Sequence, residues 1–173
     1  MSVDEEVHEH IHHAADPWDK RVAGTMAIIA AAIAIVTVLG QHLTAEELLL
    51  QQRSSDQWAF YQAKSIRRFV SEATRDTLAQ EKADPAAISQ YAKQAQRYAS
   101  DQEEIQKEAR SLEDESHLRG RESLRVHFGE VFLEIAIVFS SLAILTKRKY
   151  LFTLGAIAAL LGAAIAITGW FVH

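Results

Sequence analysis

The chain reads as an all-α membrane protein: three transmembrane helices, with a long extramembrane antiparallel coiled-coil hairpin between the first and second. Three observations predict this. Apolar segments near residues 22–40, 131–145 and 151–170 have membrane length or nearly so. A polar stretch with helical periodicity separates the first two, and its only strong breaker is Asp84-Pro85. The two halves of that stretch carry apolar residues in alternating steps of four and three.

Residues 1–20 form an acidic, His-rich tail. His8, His10, His12 and His13, with Glu5, Glu6 and Glu9 beside them, are the one metal-like cluster in the sequence. Imidazole suits zinc or nickel. His-rich tails also bind metal loosely without a metal function.

The first span covers residues 21–43. Its core, 22–39, is uncharged, Lys20 and Arg21 precede it, and Trp18 stands where an interfacial aromatic belongs. The segment is too long for a signal-peptide core and is expected to be a retained anchor. The second span covers residues 127–146. Its clean stretch, 135–145, is short, so the helix must reach back to His127 and take in Glu130 and Glu134. A carboxylate inside a span costs roughly 2–3 kcal/mol even on lenient insertion scales, so by default it marks a protein-facing site or a pathway. The two acids are expected to share a proton, to line a pore in an oligomer or to pair with His127 or His42; the structural alternative is that Glu130 sits in the headgroup region and Glu134 is hydrogen-bonded inside the helix bundle. The third span, 150–171, is uncharged over 151–170, with Tyr150 and Trp170 at its ends.

Residues 147–149 form a basic loop of Lys147, Arg148 and Lys149. So short a link forces an antiparallel pair, and its charges predict a cytoplasmic location. The N-terminus then lies inside as well, and the hairpin lies outside, in the periplasm of a double-membrane bacterium. Arg119, Arg121 and Arg125, at the outer end of the second span, oppose this orientation.

Small residues run along the third span at Gly155, Ala159, Gly162, Ala166 and Gly169, and along the first at Gly24, Ala27, Ala31 and Ala34. Lipid supplies no hydrophobic drive for helix pairing, so faces that admit close backbone approach are expected to be packing faces.

The hairpin covers residues 44–126, with its tip near 84–85. Asp84 is a good N-cap and Pro85 a good first helical residue. The expected seam uses Ala59, Ala63, Ile66, Val70, Ala73 and Thr77 on the outgoing arm. On the return arm it uses Ile88, Tyr91, Ala95, Tyr98, Gln102, Ile105, Ala109 and Leu112. Arms of nearly equal length bring the chain back to the same membrane face, which three spans require.

The segment Trp58-Ala59-Phe60-Tyr61-Gln62-Ala63-Lys64 resembles a bacterial membrane family known as domain of unknown function 4337. The resemblance covers nearly the whole chain. It implies architecture and carries no catalytic residue. Trp58, Tyr61, Gln62 and Lys64 read as a docking patch for another subunit or protein, since Trp and Tyr make good anchors. The alternative is that the aromatics pack against the return arm while Lys64, with Arg67, Arg68 and Glu72, belongs to a solvated, ion-paired face.

Net charge is −5, with Lys and Arg interleaved among Asp and Glu, which argues against nucleic acid as a partner. There is no cysteine, so disulfides and thiolate metal sites are excluded. No nucleotide-binding glycine loop, catalytic triad spacing or zinc-hydrolase motif is present. The expectation is a non-enzymatic, homo-oligomeric scaffold or interaction protein of the bacterial inner membrane, needing no cofactor. Its partners would be the lipid bilayer, copies of itself and possible other membrane proteins. The alternatives are a subunit of a channel or transport-type assembly using Glu130 and Glu134, and a metal-handling accessory using the tail.

Overall fold

The computed structural model describes residues 17–169. Over these residues the chain forms three α-helices and no strand: α1 Pro17–Gln80, α2 Pro85–Thr146 and α3 Lys149–Gly169. Each contains a stretch long and apolar enough to cross a membrane. Neither α1 nor α2 breaks between its apolar and polar parts, because no proline and few glycines interrupt them.

α1 ends in a pattern of crossed bonds. The Ala83 amide donates to the Leu78 carbonyl at 3.0 Å and the Lys82 amide to the Ala79 carbonyl at 3.3 Å. This satisfies carbonyls that the helix end leaves open, and it places Lys82 in the left-handed region at φ 53°. Asp84 then caps α2: its Oδ1 accepts from the Ala86 amide at 3.0 Å, and Pro85 takes the first helical position. At the other end of α2, Lys147 (φ 54°) turns the chain and α3 starts at Lys149.

The chain divides into two compact units. Unit 1 holds the start of α1 up to Thr44, α2 from Gly120, and α3. Its apolar centre is Ile29, Leu133, Ala136 and Ala158, surrounded by Ala32, Ile33, Val36, Ile137 and Ala159. α3 meets α2 through its glycines. A Cβ on Gly162 would stand 2.7 Å from the Gly129 carbonyl oxygen and 3.0 Å from the Leu133 amide. One on Gly155 would stand 3.0 Å from both the Ala136 carbonyl and the Ser140 hydroxyl, and one on Gly169 would stand 3.0 Å from Val126. Near the α2–α3 link, Trp18 stacks edge-on against Phe152 with centroids 5.3 Å apart, under the Lys149 ammonium at 5.6 Å. Lys147 donates to Asp19 there.

The small residues of the first span behave differently. Gly24, Ala27, Ala31 and Ala34 are exposed, and a Cβ on Gly24 meets nothing within 4 Å. α1 packs instead through Val22, Ile29 and Gly40.

Unit 2 is Ala45–Arg119. There α1 and α2 run antiparallel. The Ser116 hydroxyl donates to the Glu47 carbonyl (3.2 Å), Ser54 to the Ala109 carbonyl (3.1 Å), and Lys64 Nζ to Asp101 (2.6 Å). The α2 series expected from the sequence lies on this contact face, with Ala95, Gln102, Ile105 and Ala109 buried. The α1 series does not. Ile66 is 65% exposed and Val70 54%, with Phe69 at 71% beside them. α1 turns Ser54, Tyr61, Lys64 and Ser71 toward α2 instead. Ser54 and Ser116 each bond a backbone carbonyl of the facing helix, a contact open to short side chains.

Candidate functional site

A chain of polar side chains links α1 and α2 within unit 1, at the junction of the apolar second-span segment with the rest of α2. Thr37 Oγ1 donates to Glu130 Oε1, and the other oxygen of that carboxyl lies 3.1 Å from His127 Nδ1. His127 Nε2 is 3.3 Å from Thr44 Oγ1. Thr44 also shares a 2.7 Å hydrogen bond with Ser123 and lies 3.0 Å from the Gly40 carbonyl.

Glycine at 40 makes room for this arrangement. A Cβ there would come 2.9 Å from His127 Cε1. Two proton placements satisfy the chain. In one, His127 donates from both nitrogens, and Glu130 and Thr44 accept. In the other, a neutral ring donates from Nδ1 to Glu130 and takes the single Thr44 proton at Nε2, which gives up the Thr44 bond to the Gly40 carbonyl. The Glu130 side chain is only 16% exposed. The sequence singles out Glu130 and His127 but passes over Thr37, Thr44 and Ser123. Thr37 is a hydroxyl in an apolar run whose partner Glu130 lies 93 residues away, and Ser123 stands among charges with its partner 79 residues away.

Glu134, one turn further along, does not join this network. It is exposed on the chain, and among the described residues it has no hydrogen-bond or ionic partner. Glu130 and Glu134 therefore share no proton: the first turns to α1 and the second turns away from the chain. Ser141, two turns beyond Glu134, is exposed on the same face and likewise has no partner among the described residues. Its neighbour Ser140 is fully buried, with its hydroxyl unpartnered among the described residues. A Cβ on Gly155 would come 3.0 Å from that hydroxyl.

In unit 2 the residues of the expected docking patch part company. Trp58 and Tyr61 are half-buried and stack edge-on at 5.6 Å. Lys64 bonds Asp101 and lies over the Phe60 and Tyr98 rings at 5.3 and 5.4 Å. Gln62 alone of the four is exposed. The hydrogen bond from Lys64, aided by the charges of Lys64 and Arg97, holds the Asp101 carboxyl below the usual aspartate range against the opposing effect of burial. Trp58 also borders a polar cleft of about 230 Å³ between Glu47, Ser54, Glu113 and His117.

Gly155, Gly162 and Gly169 are all buried against α2, as described above. His8, His10, His12 and His13, like Trp170, lie outside the described residues. Among the described residues no three His, Asp or Glu side chains converge as a metal site.

Fold and site together define, over the described residues, three helices of membrane-crossing length and apolarity, the first two linked by the polar side chains above and the third packed on the second through its glycines. The chain belongs to the family described as Domain of unknown function (DUF4337), whose model matches residues 18–172. No curated protein and no solved structure matches it.

Proposed function

We propose that this protein is a multi-pass protein of the bacterial cytoplasmic membrane that acts as a non-enzymatic, homo-oligomeric scaffold. α1, α2 and α3 each cross the bilayer. The N-terminus and the basic loop face the cytoplasm. The hairpin, paired as an antiparallel coiled coil, lies on the other side. The observation that carries the assembly role is the outer face of α1 in unit 2. Ala59, Ala63, Ile66, Val70 and Ala73 keep a seam's spacing, yet their own hairpin leaves them exposed, with Phe69 beside them. An apolar stripe of this kind, flanked by charges in a polar region, marks an interaction surface.

The mass of the protein in mild detergent, compared with that of Ile66→Glu/Val70→Glu, tests this. Both side chains are exposed, so helix content should hold while the oligomer dissociates. A wild-type chain that is monomeric in detergent and in native membranes would overturn the reading.

A conducting assembly is supported less well. Its specific observation is the exposed Glu134, but the acids do not continue along that face. Val138 and then Ser141 follow. Such a line suits a contact between helices better than a conduit.

A further inference from the structure

We propose that the α2 stripe His127, Glu134 and Ser141 is where two copies of this chain meet inside the bilayer. This rests on the reading of α2 as a membrane span. The three residues are one heptad apart, so they return to nearly one face of the helix, and a left-handed crossing keeps that face against a partner. Val131, Val138 and Leu145 are exposed along the same strip and supply apolar packing beside the polar groups.

Glu134 lies well inside the span. At helical rise the chain from Thr146 to Glu134 covers roughly 18 Å, more than half the hydrocarbon thickness. Headgroups are out of reach, acyl chains offer no hydrogen bond, and an ionisable side chain at this depth normally faces protein. The chain itself gives Glu134 and Ser141 no partner among the described residues.

The chemistry of the stripe indicates a second copy. Copies inserted with one topology run parallel, so identical residues arrive at identical depth. A two-fold contact therefore needs groups that bond to their own kind. Hydroxyls do so, each donating and accepting. Two carboxyls holding one proton between them also do so, and a Lys or Arg at position 134 would not. His127, already tied to Glu130 and Thr44, has a side chain 44% exposed and closes the stripe at its outer end.

Disulfide capture in native membranes tests the contact, because the chain has no cysteine of its own. Ser141→Cys should form a dimer of twice the chain mass on oxidation. Leu160→Cys, on the exposed face of α3, should not. In the Ser141→Cys background, Glu134→Gln should keep the dimer, since an amide still donates and accepts. Glu134→Leu should lower the dimer yield about fivefold, within the range for loss of one interhelical hydrogen bond.

Equal capture at Leu160 would reduce the contact to random collision and overturn the proposal. Capture onto a polypeptide of another mass would make the occupant a different protein. Labelling of Glu134→Cys by a water-soluble maleimide would make the stripe a wetted path. Absence of a Ser141 dimer from an otherwise intact oligomer would refute this contact and leave the scaffold standing. A monomer throughout would remove both.

Discussion

Gly162 shows how much a single missing side chain decides. Its would-be Cβ stands 2.7 Å from the Gly129 carbonyl and 2.9 Å from Phe132 Cβ, so the obstacle is largely backbone that has nowhere to move. Gly24, in the first span, has open space around it. Gly162→Leu should therefore destabilise the protein in detergent by about 1–3 kcal/mol, as overpacking does, and Gly24→Leu should leave its melting temperature unchanged. Thermal melts of the two variants, run side by side, check this. Equal effects would mean that the α2–α3 contact is not what Gly162 serves. Close approach is also the reason for Gly40, where the neighbour is an imidazole within the polar network instead of a helix backbone.

At the scale of the helices, patterning shows that a face needs cover and is silent on what covers it. Of the α2 series that periodicity predicts, Ala95, Gln102, Ile105 and Ala109 are buried. The matching series on α1 lies in the open, and so does the first span's line of Gly24, Ala27, Ala31 and Ala34. α1 meets its partner through Ser54, Lys64 and Ser71. Ser54 and Lys64 gain meaning only from the Ala109 carbonyl and Asp101, both far along the chain. The three apolar helices were legible because length and hydropathy are local properties. The Thr37–Glu130–His127–Thr44–Ser123 chain was half legible, through its charged members, because hydroxyls carry no such local mark.

The Lys64–Asp101 bridge gives unit 2 a dependence on pH. Its hydrogen bond and charge hold the Asp101 carboxyl below the value it has in an unfolded chain. The stabilisation is therefore complete above the ordinary aspartate range and is lost as pH falls through the lowered value. Asp101→Asn should melt lower than wild type at neutral pH, and the gap should close on acidification. A gap that stays constant into acid would show that the bridge adds nothing through its charge.

For the whole molecule, the proposed three crossings would put the basic loop and the α1–α2 turn on opposite sides of the membrane. In intact cells, an impermeant thiol reagent should label Asp84→Cys and spare Arg148→Cys. The reverse result would invert the orientation. Labelling of both sites would remove one crossing.

The polar network also bears on the order in which the chain is made. On the proposed topology α1 would leave the ribosome first, carrying into the bilayer only the hydroxyls of Thr37 and Thr44 from that network, of which Thr44 bonds locally to the Gly40 carbonyl. Glu130 and His127 follow with α2, after their α1 partners are already in place. α3 comes last and needs only a two-residue turn to lay its glycines on α2. On that topology the expensive groups would enter a membrane that already holds their ligands, so biosynthesis would never have to leave Glu130 waiting. For Glu134, if its partner is the proposed second copy, the wait would last until two such chains meet.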